Sequence, residues 1–577
     1  MADHRALLRQ TADLAADFLD GLDTRHVGAT ASHAELVATF GGALPVHGEA
    51  AGEVVDHLAT IADPGLIASA GPRFFGFVIG GSLPAALAAD WLTSAWDNNA
   101  GLYAIGPSAS VAEEVSGGWL IDLFGLPSTS SIGYSTGATM ASFTALAAGR
   151  HRVLERLGWN VEDDGLIGAP DLAVVVGAEA HVTIHVSLQM LGLGRSRVFK
   201  VEADEQGRMR PDKLRETLAG LRDRPVLVCA QSGNVNTGAF DPLPEIVAAV
   251  RELPNAWLHV DGAFGLWAAV TSSLRHLTAG LADADSWTTD AHKWLNVPYD
   301  SGIAIVRDAA AHRAAMTLGA AYYVETEGGE RDPYNWVAES SRRARGFPIY
   351  AALRSLGRDG LTEMIDRCCA LARRMAAGLG AAPGVAILND IVLNQVLVRF
   401  APPSAAGGGA AGADAPDEAA IDAFTREVIA AVQADGTCWL GGTTWHGMAA
   451  MRISVSNWST TEADADVSVA AILRCAETVA RRVAGACSPE RVGREGRRAR
   501  CGSSFPKGTG RSSWLRPSVP EHPPDSCISP ATSGSSSSSP LRAPCGRFSR
   551  IRPPGANPPP ADSSTREHSV RERNHPK

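Results

Sequence analysis

Four short apolar runs, at residues 172–177, 226–230, 256–260 and 302–306, alternate with helix-like stretches such as PDKLRETLAGLRD (211–223) and LPEIVAAVREL (243–253). Strands that are apolar throughout are covered on both faces, and strands joined through helices build right-handed βαβ units. The expected fold class is therefore α/β, with a mainly parallel central sheet in a large domain spanning 71–315. A helical N-terminal segment (1–70) precedes it. A smaller C-terminal α+β domain (316–486) follows, with LNQVLVRF (393–400) and MRISVS (451–456) as strands and the Ala/Gly/Pro-rich stretch 401–416 as a loop. The chain has 577 residues, 45% of them hydrophobic and 20% charged, which is ordinary globular usage and enough for large cores.

The apolar run AWLHVD (256–261) ends at Asp261, inside HVDGAFG (259–265), and 32 positions later Lys293 stands in TTDAHKWLN (288–296). Open α/β sheets bind ligands beyond the carboxyl ends of their strands, so Asp261 is expected at a sheet mouth. A lysine amine that captures an aldehyde as an imine, together with a carboxylate that keeps a pyridine nitrogen protonated, is the pair that pyridoxal 5′-phosphate chemistry needs. Taken alone, a surface lysine and a helix-capping aspartate are the commoner readings of Lys293 and Asp261; it is the combination that points to this cofactor.

Two further segments fit the same cofactor. SSIGYSTGATMASFTALAAGR (130–150) passes from glycines and small polar residues into a helix near Gly137, so the amides of Gly137, Ala138 and Thr139 are candidates to cradle a phosphate. VVVGAEAHVTIHVSLQMLGLG (174–194) is an apolar strand followed by His181, whose imidazole could lie flat on a cofactor ring. His185, one turn on, reads as a packing residue.

These segments, with RFFGF (73–77), SGNVNTGAFDP (232–242), LNQVLVRF and MRISVSNWSTTE (451–462), resemble the group II pyridoxal-phosphate-dependent amino-acid decarboxylases over roughly residues 60–480. That family includes aromatic amino-acid and glutamate decarboxylases and has the aspartate-aminotransferase fold, a PLP-dependent transferase-like architecture. The resemblance implies Lys293 as the cofactor lysine, Asp261 as partner of the ring nitrogen and His181 as the stacking residue. It also implies Ala138, Thr139 and His292 at the phosphate, and Ala263 on the ring face opposite His181. It further implies release of carbon dioxide and an amine from an L-amino acid; transamination, an aldolase-type reaction and a non-catalytic cofactor-binding relative are the alternatives.

Departures from the family bear on the substrate. Gly233-Asn234-Val235 replaces the Gly-Thr-Thr of aromatic-acid members, so Asn234 is expected to meet the cofactor hydroxyl. Phe77-Val78-Ile79 replaces Tyr-Phe-Pro, which makes Phe77 and Val78 the expected pocket wall and leans towards apolar or medium-sized substrates. Asp290 stands where the aromatic-acid branch commonly has asparagine, close to the expected phosphate. Arg452 falls where fold relatives bind the substrate carboxylate, a task suited to a planar fork, and reads equally as a surface salt bridge.

Family members often protonate the product carbanion from a tyrosine on a mobile loop. LGAAYYVETEGGERDPYNW (318–336) has the glycines and charges of such a loop, and Tyr322, Tyr323 and above all Tyr334 are its candidates. Fold relatives form their sites at a dimer interface, so a homodimer is expected in which RFFGF and SAWDNNAGLY (94–103) approach the partner's cofactor.

The N-terminal residues lack the basic start and apolar core of a signal peptide, and no run approaches the roughly 20 apolar residues that span a bilayer. Cys229, Cys368, Cys369, Cys438 and Cys475 show no metal spacing, so reduced cytoplasmic thiols are expected, with no metal, no membrane and no nucleic acid as partners. Residues 487–577 differ in kind: 15 of the 34 prolines, a serine run at 535–539, and 16 Lys+Arg against 7 Asp+Glu. Removing that +9 from the chain's −10 leaves −19 for residues 1–486. The tail is expected to be disordered. Its functional reading is an arm for nucleic acid or an acidic surface, although it lacks interleaved aromatics and a folding pattern; the same composition is what an out-of-frame extension of a GC-rich coding sequence produces.

Overall fold

The apolar runs do become strands, and they assemble where burial of both faces can be satisfied. A computed structural model describes residues 4–317, 329–402 and 417–486. In chain order the elements are α1 (His4–Asp20), α2 (His33–Phe40), α3 (Ala51–Ala62), α4 (Pro84–Trp96), α5 (Pro107–Leu123), β1 (Ser131–Ser135), α6 (Ala138–Glu155), α7 (Val161–Asp164), β2 (Ala173–Gly177), α8 (Val182–Met190), β3 (Phe199–Val201), α9 (Pro211–Ala219), β4 (Val226–Gln231), α10 (Leu243–Arg251), β5 (Ala256–Asp261), β6 (Ser286–Asp290), β7 (Gly302–Val306), α11 (Ala309–Met316), α12 (Gly346–Gly380), β8 (Val385–Ile387), β9 (Gln395–Phe400), α13 (Glu418–Asp435), β10 (Gly441–Trp445), β11 (Met448–Ser454) and α14 (Glu462–Ala486).

The large sheet has seven strands in the order β1-β7-β6-β5-β4-β2-β3. From β6 to β3 all pairings are parallel, and β4, β5 and β6 are buried throughout, as expected of strands covered on both faces. The run 302–306 lies in the sheet but departs from a parallel assignment: β7 is antiparallel to both β6 and β1. Only residues 291–301 separate β6 from β7, and they hold no crossover helix, so the chain folds straight back. β6 itself, SWTTD, is polar in sequence yet fully buried. Its hydroxyls are satisfied internally: Thr288 bonds Ser142, Thr289 donates to the Ala263 carbonyl, and Ser286 accepts from the Trp257 indole.

A four-stranded antiparallel sheet, β10-β11-β9-β8, forms the C-terminal part. RFFGF is laid along it. Phe75 N–H donates to Trp439 O at 2.7 Å and Ser454 N–H to Phe75 O at 3.0 Å, while Phe74 and Phe77 both stack on the Trp439 ring, at 5.2 and 5.7 Å between centroids. This places residues 77–79 beside Arg452 of β11. Among the described residues no helix is long and apolar enough to cross a membrane.

Candidate active site

The carboxyl ends of three parallel strands converge on one cavity of about 410 Å³: Gln231 ends β4, Asp261 ends β5 and Asp290 ends β6, and all three line it. Residues that follow β6 put Lys293, His292 and Tyr299 on its wall. The N-terminus of α6 supplies Gly137, Ala138 and Thr139, and that of α8 supplies His181 and Thr183. From the other side come Phe77, Val78, Ile79 and Arg452. Ala263 and Phe264 complete the wall near Asp261.

Why these side chains stand here is local physics. α6 starts at Gly137 without a side-chain cap, so its first amides are directed at the cavity with the positive end of the helix dipole behind them. Gly137 is squeezed: a Cβ on Gly302 of β7 would come within 2.3 Å of the Gly137 backbone, so only a glycine lets the strand approach the helix start this closely. His181 caps α8, its Nδ1 lying 2.8 Å from Thr183 Oγ1, which fixes the ring plane. His292 Nδ1 accepts the Ser301 N–H at 3.0 Å, and its ring stacks on Tyr299 at 4.3 Å. Phe77 and Val78 hold left-handed backbone, φ 61° and 94°, which is costly for a β-branched valine and turns this short wall sharply.

The electrostatics are those of a desolvated site. Burial raises the pKa of Asp261, opposed by the charges of His181 and Lys293 and by the Ala263 N–H that its Oδ1 accepts at 3.1 Å. Burial lowers the pKa of His181 and of His292, which keeps both imidazoles neutral near pH 7. Arg452 is drawn down to about 10 by burial. It makes only long contacts, 3.3 Å to Val235 O, 3.4 Å to Asn236 Oδ1 and 3.5 Å to Phe77 O, and no ion pair with a described carboxylate. A half-buried guanidinium so poorly matched is suited to an incoming carboxylate. Asp290 Oδ2 lies 2.7 Å from Lys293 Nζ, and Asp290 Oδ1 accepts the Ala138 N–H at 2.6 Å.

This donor set fits pyridoxal 5′-phosphate. A carboxylate at the end of β5 can pair with a protonated pyridine nitrogen; the amine of Lys293 shares its cavity, and a helix start opens on the same space. Of the residues the sequence singled out, the structure brings together Gly137, Ala138, Thr139, His181, Asp261, Ala263, His292, Lys293, Phe77, Val78 and Arg452.

Two are not brought in. The Asn234 side chain does not line the cavity: its Oδ1 accepts the N–H groups of Asn236 and Thr237, closing the tight turn that follows Gly233, and its Nδ2 faces Gly207. Tyr334 is buried in the short turn Pro333–Trp336, its N–H bonded to Gly101 O, and is absent from the cavity wall. Tyr322 and Tyr323 lie outside the described residues. Phe77 of RFFGF walls this chain's own cavity.

Sequence reasoning missed Gln231, Thr183, Phe264 and Tyr299. Gln231 was recoverable, since it ends an apolar strand just as Asp261 does. Tyr299 carried no signal, because only the backtrack from β6 to β7 sets it on His292.

Residues 34–401 match the family model for the pyridoxal-dependent decarboxylase conserved domain. An acidic amino acid decarboxylase of Mus musculus is 30% identical over 340 residues, covering 58% of this chain and 61% of that protein. An L-2,4-diaminobutyrate decarboxylase of Rhizobium meliloti is 32% identical over 321 residues, 55% of this chain and 62% of the relative. An aromatic-L-amino-acid decarboxylase of Bacillus atrophaeus is 26% identical over 404 residues, 69% of this chain and 82% of the relative. The match thus spans less than two thirds of the mouse and rhizobial proteins. Among solved structures, Oryza sativa TDC with PLP and tryptamine superposes with a TM-score of 0.76 at 22% identity, covering 82% of this chain and 98% of that one. Mouse CSAD gives 0.75 at 24% identity, covering 82% and 99%. These likenesses fix the fold.

Proposed function

This chain belongs to the pyridoxal-dependent decarboxylase family, and from that premise we propose that it removes the α-carboxylate of an L-amino acid as carbon dioxide and releases the amine. The observation that carries the reading is convergence: a lysine, a buried carboxylate, a neutral imidazole and a guanidinium with no carboxylate partner among the described residues share one cavity. The three relatives' names also have decarboxylase in common.

Pyridoxal 5′-phosphate, when bound, supplies a protonated pyridine ring that accepts the electron pair left behind as carbon dioxide departs. Around it each residue has a task. Lys293, whose amine lines the cavity, would be the residue that holds the cofactor's aldehyde end. Asp261 would pair with the ring nitrogen and favour its protonated form, and the charges of His181 and Lys293 with the Ala263 N–H favour the carboxylate that this needs against the burial that opposes it. His181, oriented by Thr183, and Ala263 would hold the ring between them. The amides of Gly137, Ala138 and Thr139 hold the phosphate, with His292 beside them. Arg452 takes the substrate carboxylate, while Phe77 and Val78 meet the side chain.

The large part of the chain (71–315) provides the cofactor floor in this scheme, 316–486 provides Arg452, and the helical segment 1–70 precedes both. Trp96, Ile105, Val111, Val115 and Tyr350 are apolar and exposed around α4, α5 and the start of α12, which supports a homodimer through that face. The five described cysteines are buried and free, as a reducing compartment favours, so we assign the enzyme to the cytoplasm; no metal or nucleic acid enters the scheme.

The test is purified protein supplied with pyridoxal phosphate and a panel of L-amino acids, with carbon dioxide, amine and keto acid recorded together. Carbon dioxide with matching amine, lost in Lys293→Ala, is expected; keto acid without carbon dioxide would move the protein to the transaminases. Deletion of 487–577 is expected to leave both cofactor binding and turnover intact.

A further inference from the structure

One side chain in the cavity contacts several groups assigned to the cofactor. Asp290 is 2% exposed, and its carboxylate meets the Ala138 N–H at 2.6 Å, Lys293 Nζ at 2.7 Å and His292 Nε2 at 3.7 Å. Its backbone is pinned at both ends. The Asp290 N–H donates to Ala263 O at 2.9 Å, and its carbonyl accepts the Trp267 indole N–H at 3.2 Å. β7 pairs with it through Gly302, so the strand cannot withdraw and only side-chain rotation can free its partners. The carboxylate therefore stands as an anion at the helix start where a phosphate would go, and it ties up the amine that must react.

We propose that Asp290 is a resident counter-anion at the phosphate end of the cavity, a positioning residue that holds Lys293 and the Ala138 amide and must release both as the cofactor enters. The inference rests on the cofactor reading above. Two anions cannot both command the Ala138 N–H, and like charges brought together in a desolvated pocket cost affinity. In consequence the chain discriminates less in favour of the phosphate group than its helix start alone would allow, and capture of the cofactor waits on opening of the Asp290–Lys293 pair.

Asp290→Asn tests this, because the amide oxygen can still accept the Ala138 N–H while the charge is gone. Wild type and variant are titrated with pyridoxal 5′-phosphate and with unphosphorylated pyridoxal, following the absorbance that depends on Lys293. The expected result is a dissociation constant for the phosphate ester lowered about tenfold or more in the variant, a smaller change for pyridoxal, and faster capture. A merely structural role would move both ligands together. An unchanged ratio of the two constants, or weaker binding of the phosphate ester by folded variant, overturns the proposal. Should Asp290→Asn fail to fold by circular dichroism, Asp290→Ser read in the same way decides it. Absence of any Lys293-dependent absorbance in wild type would instead sink the cofactor reading, and this inference with it.

Discussion

Adding a single methyl group to Gly302 would test whether the start of α6 is the cofactor's phosphate cradle. The alanine Cβ would stand 2.3 Å from both Cα and C of Gly137 and 2.6 Å from its N, where ordinary contacts are about 3.5–4 Å. The obstacle is backbone, not the end of a flexible side chain. β7 is held by β1 and β6 on either side, so relief must come largely from shifting the Gly137–Thr139 turn by about 1 Å. Overpacking of this kind costs about 1–3 kcal/mol of stability, and a displacement of about 1 Å at a binding constellation can cost on the order of 100-fold. Gly302→Ala is therefore expected to fold with a lowered melting temperature and to bind pyridoxal 5′-phosphate about 100-fold more weakly, with a smaller loss for pyridoxal. Gly149→Ala serves as control. It overpacks the same helix against Trp257, at 2.8 Å, but about 18 Å farther along the axis. If Gly302→Ala binds the cofactor like wild type, or if both variants lose it equally, the cradle does not lie at Gly137.

Two other expectations come from buried groups. Burial, with Arg331 nearby, pushes the pKa of His312 down to about 3, and its ring bonds Ser131 Oγ and Trp336 O while neutral. A base depressed in the folded state takes up its proton only on unfolding between the two pKa values, so stability falls as pH drops below about 6.5, by about 2 kcal/mol from this residue at pH 5. Urea unfolding of His312→Gln at pH 7 and pH 5 should show that much less acid sensitivity than wild type, and an unchanged pH dependence would contradict a neutral buried His312. Replacing Arg452 by Met should leave cofactor affinity alone and lower kcat/KM about 10- to 100-fold, the worth of a charge-assisted bond to a carboxylate; steady-state kinetics with unchanged KM and kcat would remove Arg452 from substrate binding.

The parts of this site that sequence made legible share one property: their roles follow from the end of a regular element. Asp261 terminates an apolar strand, Gly137 precedes a helix, and His181 follows β2 directly. Their positions are therefore set by periodicity alone. What stayed hidden depends on long-range placement. β6 reads as a polar segment because its hydroxyls find partners on α6 and β5 that only the folded chain supplies. The direction of β7 is set by a connection too short for a helix. Asn234 occupies the right place in the chain, but its carbonyl is better spent on two neighbouring amides than on the cavity. Tyr299 and the Phe77 wall are positioned by ring contacts with His292 and Trp439, the second across more than 350 residues.

The lamination of residues 73–77 onto the C-terminal sheet has an engineering consequence. Arg452, Phe77 and Val78 are carried on one rigid plate, riveted by the Trp439 ring and the bonds of Phe75, whereas Lys293, Asp261 and the helix start belong to another. What grips the substrate is thus physically separable from what performs the chemistry. Recoding the enzyme for a new side chain requires transplanting two short stretches together, around 73–79 and 437–454, because either one moved alone would arrive without its counterpart and lose its register on the plate.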